Sequence, residues 1–218
     1  MARAKTRIDD DVLARAAAVG TASLHEAGGR AGALPQAIRA LHPSMHVAGR
    51  AFTVRSPVGD NLWLHRALAL AGAGDVLVVE AGDGAGFGYW GEIMASAAIA
   101  RGIAGLVITG GVRDSLRLIE LKHPTFTTGT AIRGTVKAPD GDGALGALIR
   151  IGEILVRAGD LIVGDADGVV AFPAHRAAEV VAAAEQRDAA EQDILRRLAA
   201  GETTMNIYNL PAIQGEDA

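Results

Sequence analysis

Cysteine is absent from the 218 residues. That removes disulfides, thiolate nucleophiles, iron–sulfur clusters and cysteine zinc sites from the available chemistry, and it fits a reducing cytosol. No apolar run approaches the ~20 residues needed to span a bilayer. The N-terminal stretch MARAKTRIDDDVLARAAAVG is charged and lacks the apolar core of a secretory signal. A cytoplasmic chain with no membrane partner is therefore expected. Positive charge is not in excess either: 21 Lys and Arg against 25 Asp and Glu leave a formal net charge of -4. The basic residues are scattered rather than gathered into a stripe, so no nucleic-acid partner is expected. Aromatic residues make up only 4%, and alanine and glycine take their place.

The chain does have 28 glycines and a half share of hydrophobic residues. Its length suits a single domain with a sizeable core, residues 1–218. Small residues permit close packing and tight turns. Asp9 to Asp11 precede VLARAAAV as the start of a first helix, which Gly20 is expected to stop, and TASLHEA reads as a second. HVAGRAFTVRSP alternates as a strand ending at Pro57. GDNLWLHRALALAGAG reads as a helix capped by Asp60 or Asn61, DVLVVE as a buried strand, EIMASAAIARG as a helix and GLVITG as the next strand. HPTFTTGT and RGTVKA read as two short strands, and GDLIVGDADGVVAFP as two strands joined by an Asp-Gly turn. Residues 174–200 form a charged, alanine-rich helical arm closed by Gly201. Alternating strands and helices with extra strands give α/β with mixed sheets.

Between DVLVVE and EIMAS lies AGDGAGFGYWG, where Gly86, Gly88 and Gly91 satisfy G-x-G-x-x-G. A dinucleotide fingerprint needs its first glycine directly after the strand, and here several residues intervene, so a dinucleotide site is not expected. The loop either offers backbone amides at a helix N-terminus, suited to a carboxylate, or simply turns. One strand later, GLVITGGVRD ends in Arg113 and Asp114. Arginine's fork suits a substrate carboxylate, and aspartate oxygens suit Mg2+ or Mn2+. The alternative is a strand-end salt bridge worth ~0–1 kcal/mol. Twenty residues separate Glu92 from Arg113, giving E-x20-R-D across one helix and one strand. Asp165 and Asp167 read as an Asx turn, and His42 and His46, flanking Pro43, as a turn rather than a metal pair. Helix capping or packing is the default for His25, Glu26 and His65, with Asn61 a minor candidate for substrate contact.

GDNLWLHRALALAGAGDVLVVEAGDG, YWGEIMASAAIARGIAGLVITGGVRD, RGTVK, AGDLIVGDADGVVAFP, TASLHEAGGRAGALP and GETTMNIYN together resemble the 4-hydroxy-4-methyl-2-oxoglutarate / 4-carboxy-4-hydroxy-2-oxoadipate aldolases, within the family of regulator of ribonuclease activity A (RraA). The resemblance implies a β/β/α swivelling-domain fold with a long C-terminal helix, in homotrimers or homohexamers with active sites between subunits. It implies a class II, divalent-metal aldolase (Mg2+ or Mn2+) cleaving a 2-oxo-4-hydroxy acid to pyruvate and a second oxo acid, with oxaloacetate decarboxylation as companion activity. By resemblance Asp114 is the direct metal ligand and Arg113 the arginine on the substrate. The amides of Ile93 and Met94, beside Gly91, receive the 2-oxo acid's carboxylate. Glu92, and Glu191 from a neighbouring subunit, hold metal-bound water. These aldolases carry D-x20-R-D, whereas this chain has Glu92 first; its longer arm shifts the carboxylate by roughly one C–C bond. The second function class is a non-catalytic regulator of a ribonuclease, as in other RraA relatives.

Overall fold

The computed structural model describes residues 7–211; the first six residues of the charged N-terminal stretch and those after Pro211 lie outside it. Helices α1 (Asp10–Ala16) and α2 (Thr21–Ala27) come first. There follow β1 (Arg39–Ala40), β2 (Val47–Arg55), α3 (Leu62–Leu70), β3 (Asp75–Glu80), β4 (Gly88–Trp90), α4 (Glu92–Ala100), β5 (Gly105–Ile108), β6 (Gly111–Val112), α5 (Ser115–Leu121) and β7 (Thr125–Thr127). The chain continues through β8 (Ala144–Leu145), β9 (Ile149–Ile151), β10 (Ile154–Val156), β11 (Leu161–Gly164) and β12 (Val169–Phe172) to α6 (Ala177–Ala199) and α7 (Thr204–Ile207).

The main sheet runs β1-β7-β5-β3-β2-β11-β12, with β8 against the end of β2. Pairing is parallel from β2 through β3 and β5 to β7, and antiparallel at β1, β8, β11 and β12. Side-chain alternation sorts the core into layers. Val54, Leu77, Val79, Leu106 and Ile108 face one way and pack under α3, α4 and α5. At the other end of that same face Leu161, Val163, Val170 and Phe172 meet α1, α2 and α6. Ala51, Val76, Val78, Val107 and Phe126 face the opposite way, toward Ile149, Ile151 and Val156 of the β9–β10 ribbon. Ribbon, sheet and helices are the three layers of the expected β/β/α arrangement. β3 and β5, covered on both faces, are correspondingly aliphatic runs with buried interiors.

The sheet curls around its ribbon side. Three strands separate β7 from β11 in the hydrogen-bonded order, yet the Phe126 ring comes within 2.7 Å of where a Cβ on Gly164 would sit. Only glycine leaves that space. The two edges approach one another as well, Arg39 of β1 donating to the Asp167 carbonyl beyond β11 at 3.3 Å.

Several local expectations change. α1 ends at Ala16, and Gly20 precedes α2 instead of closing α1. Asp9 forms no side-chain cap, while Asp10 pairs with Arg50 and Asp11 with Arg15. Asp60 rather than Asn61 caps α3, accepting from Leu62 N at 2.7 Å. RGTVKA is not a strand but contributes one bridge, Val136 to Asp60. Residues 129–136 cross the ends of several strands, so their backbone groups bond in turn to Val112, Gly88 and Gly59 and no single ladder forms. The DADG segment is a four-residue turn in which Asp165 N donates to Gly168 O. Its Asp165 Oδ1 accepts from Asp167 N at 2.9 Å, the expected Asx turn. His42 sits in a turn with Nδ1 2.7 Å from Ser44 Oγ, and His25 Nδ1 lies 2.9 Å from Ala31 O. The arm begins with a 3-10 turn at Ala174–Arg176 and runs as α6 to Ala199. No helix among the described residues is long and apolar enough to cross a membrane.

Candidate functional site

β3 and β5 run parallel, so the segments leaving them emerge at one rim of the sheet. There β4, from the glycine loop after β3, pairs with β6, which follows the Gly110 turn after β5. The register sets Gly88 opposite Gly111 and Trp90 opposite Val112, and Arg113 N donates to Trp90 O at 2.8 Å. This short ladder carries Gly91 and Glu92 alongside Arg113 and Asp114. Segment 129–133 adds a further edge: Val112 N donates to Gly129 O, Ala131 N to Val112 O and Gly88 N to Arg133 O. Arg133 is held by stacking over Phe87 at 4.2 Å. Between these elements lies a cleft of about 320 Å3 lined by Val112, Arg113, Asp114, Ser115, Thr130, Ala131 and Ile132.

Asp114 ends the ladder and begins α5 in a left-handed conformation, φ 55°, which for a residue with a Cβ costs on the order of 1 kcal/mol. Its carboxylate does not cap its own helix. Oδ2 instead accepts from Glu92 N, the first amide of α4, at 3.1 Å. Among the described residues Oδ1 accepts no hydrogen bond. The contact with Arg113 is only a 4.0 Å approach between half-exposed side chains, so both charges remain available to a ligand. In α4 the Ala95 amide bonds back to Gly91 O, while the amides of Ile93 and Met94 have no partner among the described residues. Two unpaired donors at a helix start thus adjoin a carboxylate and a guanidinium.

Glu92 is engaged on its far side. Arg117 of α5 donates to Glu92 Oε1 through Nε at 3.2 Å and Nη2 at 3.0 Å, and through Nη1 to Glu120. The Glu92 bond is the leading reason that the Arg117 guanidinium is held more firmly protonated than usual. Nothing in the sequence analysis singled out Arg117. Its signal was the spacing S-L-R-L-I-E-L, a helix whose first turn would face α4.

Asn61 is placed beneath the site, not in the cleft: it is 6% exposed, and its Nδ2 donates to Tyr89 O at 2.9 Å. Behind the ladder, Trp90 and His123 stack with ring centroids 5.9 Å apart; both are buried, and Trp90 Nε1 and both His123 ring nitrogens lack hydrogen-bond partners among the described residues. Burial holds the His123 pKa down at about 4. Glu191 is not brought to this cleft within the chain. It lies on α6, which packs against α1, α2 and α7 at the β11–β12 end, and it pairs with Arg187 at 2.9 Å. No cluster of three or more His, Asp or Glu able to hold a metal ion occurs among the described residues.

Residues 7–171 match the family model RraA-like, described as Aldolase/RraA. A relative from Halalkalibacterium halodurans, provisionally named a 4-hydroxy-4-methyl-2-oxoglutarate aldolase, is 35% identical over 73% of this chain and 75% of its own. The 4-hydroxy-4-methyl-2-oxoglutarate aldolase of Thermus thermophilus is 30% identical over 65% of this chain and 84% of its own. Among solved structures, Streptomyces coelicolor RraAS2, described as an unusual member of the RNase ES inhibitor RraA protein family, superposes with TM-score 0.75 at 31% identity, covering 88% of this chain and all (100%) of that one.

Proposed function

Because the chain belongs to the RraA-like family, we propose that it is a carbon–carbon lyase, cleaving a 2-oxo-4-hydroxy di- or tricarboxylic acid to pyruvate and a second oxo acid. The observation that carries this reading is the convergence at one cleft of Asp114, Arg113 and the two unpaired amides of α4. The relatives named as aldolases support it further.

The amides of Ile93 and Met94 take the substrate's 1-carboxylate, favoured by the helix dipole. Gly91, by lacking a side chain, lets that carboxylate and Asp114 share the space. As the C3–C4 bond breaks, negative charge moves toward the 2-oxo oxygen, and Arg113 offsets it, a contribution of about 2.7–4 kcal/mol for a well-placed donor. The proton of the 4-hydroxyl leaves through water held by Glu92 and by a neighbouring subunit's carboxylate, for which Glu191 is the candidate, and a proton returned from that water to C3 completes pyruvate. Asp114 would hold a divalent cation, which when bound would supply Lewis-acid polarisation of the 2-oxo group. The donor set suits Mg2+ or Mn2+, which keep several waters and need one or two protein carboxylates. Oxaloacetate, whose loss of CO2 develops the same charge, is a second substrate.

Assembly into a homotrimer or homohexamer is part of this reading. Ile132 at the cleft is 97% exposed, Leu116 beside Ser115 74% and Ile93 beside Glu92 80%, an apolar rim suited to a second copy. Beyond Glu185 the described part of α6 buries no side chain within the chain, which leaves its distal half, Glu191 included, free to reach a neighbour.

The test is pyruvate release from a panel of 2-oxo-4-hydroxy diacids and oxaloacetate, with and without Mg2+ or Mn2+. Asp114→Ala abolishes metal-dependent release, and Arg113→Ala lowers it by about 100- to 1,000-fold. Either variant at the wild-type rate removes the reading. A second reading, regulation of a ribonuclease by protein contact, is supported by the likeness to the Streptomyces RraAS2 structure. It requires a chain that releases no pyruvate from any substrate yet inhibits the nuclease with Asp114→Ala unimpaired.

A further inference from the structure

Arg117, Glu92 and Asp114 form a closed set of contacts across two helix starts. Asp114 Oδ2 accepts from the Glu92 amide at 3.1 Å, and Arg117, three residues after Asp114, donates to the Glu92 carboxylate in return. Both Arg117 donors converge on Oε1, which fixes the direction of a side chain otherwise free about three bonds. Oε2 accepts no hydrogen bond among the described residues. Glu120 on the same helix anchors the guanidinium from behind. The Arg117 side chain is 56% exposed and that of Glu92 41%, so the pair contributes little to stability. Orientation is the effect such an arrangement does produce, because a carboxylate's value at a site depends on placement within a fraction of an ångström.

We propose that Arg117 is a positioning residue, fixing the direction of the Glu92 carboxylate at the start of α4, where Asp114 binds the Glu92 amide, with one carboxylate oxygen committed to α5 and the other left to the site. This rests on Glu92 serving the lyase site as described above. A glutamate there has one more rotatable bond than an aspartate, and Arg117 removes that extra freedom.

A double-mutant cycle tests it, comparing wild type, Arg117→Ala, Glu92→Gln and the double variant by kcat, KM and Mn2+ affinity from electron paramagnetic resonance. Arg117→Ala lowers kcat and Mn2+ affinity by about tenfold in the wild-type background. KM moves little, because the 1-carboxylate is held by the α4 amides. In the Glu92→Gln background the same substitution has almost no effect, since the carboxylate it orients is gone. Arg117→Lys, keeping the charge without the fork, stays close to Arg117→Ala. Effects of Arg117→Ala that are equal in both backgrounds, or a wild-type kcat for Arg117→Ala, overturn the proposal. Where Arg117→Ala does not fold, Arg117→Gln takes its place in the cycle. If the wild type releases no pyruvate the lyase reading falls, and the Mn2+ cycle alone decides this one; a wild type that binds no Mn2+ either overturns both.

Discussion

Gly91 and Asp114 approach so closely that no side chain fits between them: a Cβ on Gly91 would overlap Asp114 Oδ2 and lie 3.1 Å from Arg113 Cγ. The glycine of the G-x-G-x-x-G pattern that matters most is thus required by an aspartate 23 residues later rather than by a phosphate. The Gly91 backbone is extended, so its role is steric and not conformational.

Gly91→Ala is accordingly expected to fold and to lose the proposed lyase activity. The added methyl displaces the Asp114 carboxylate from the Glu92 amide, and misplacement on the 1 Å scale lowers kcat by about 100-fold. Steady-state kinetics together with a thermal melt check this. Wild-type kcat in a folded Gly91→Ala protein contradicts the close approach.

Asp165 joins the β11–β12 turn to the start of α2. Burial by itself would raise its pKa, but donors from Thr21 N, Thr21 Oγ1 and Asp167 N outweigh it and hold the carboxyl below its usual range. A depressed folded pKa contributes stability that is complete above the unfolded value of ~3.9 and is lost as pH falls through the folded one. Asp165→Asn therefore lies below wild type in urea melts at pH 5 to 7, by about 1–3 kcal/mol, and the gap closes below pH ~4. A gap that does not narrow as pH falls below ~3.9 would contradict the assignment.

His123 titrates in a different window. Its ordinary pKa of 6.5 is pushed down to about 4 by burial against Trp90. The neutral ring's contribution is present in full above ~6.5 and is lost progressively as pH falls through about 4, a total of about 3 kcal/mol. His123→Phe keeps a ring against Trp90 and removes the proton site, so its melting temperature is flatter than that of wild type between pH 6.5 and 4. Parallel curves for the two proteins would exclude His123 as the titrating group.

Asn61→Ala removes a buried amide bonded to Tyr89 O and, with it, the unpartnered Oδ1. The two effects partly cancel, leaving a cost of about 1 kcal/mol and a fall in melting temperature of ~2–4 °C. KM stays unchanged, because the side chain lies below the cleft. A raised KM at unaltered stability would return Asn61 to the substrate.

The proposed sharing of sites between subunits predicts complementation. Asp114→Ala and Glu191→Ala, each inactive, are mixed under conditions that let subunits exchange. One site in four then pairs an intact Asp114 with an intact neighbouring Glu191, giving about a quarter of wild-type activity. No recovery in an exchanged mixture separates Glu191 from the site.

How far these features were legible in the sequence varies with how local their cause is. DVLVVE and TASLHEA have the bounds of β3 and α2, because each carries its own signal, a buried aliphatic run in one and helical spacing after a glycine in the other. Residues 88–90 and 111–112 carry none, since two or three residues rich in glycine become strands only by finding one another. α5 has its helical spacing in SLRLIELK, but its seven residues follow the strand end directly and no side-chain cap marks their start. RGTVKA looked like a strand by composition and is not one, its hydrogen bonds being spread over three partners.

By itself the sequence determined the mixed α/β class and the candidate chemistry: periodicity of two or 3.6 tells strands from helices, and Arg113 and Asp114 stand at a strand end whatever surrounds them. Only the tertiary structure decided that Glu92 gives its amide to Asp114 and its carboxylate to Arg117, that Asn61 lies underneath, and that Gly91 is the residue leaving room. Those relations join segments 20 or more residues apart, where direction and distance are set by how helices seat on a curled sheet, and no local pattern records them.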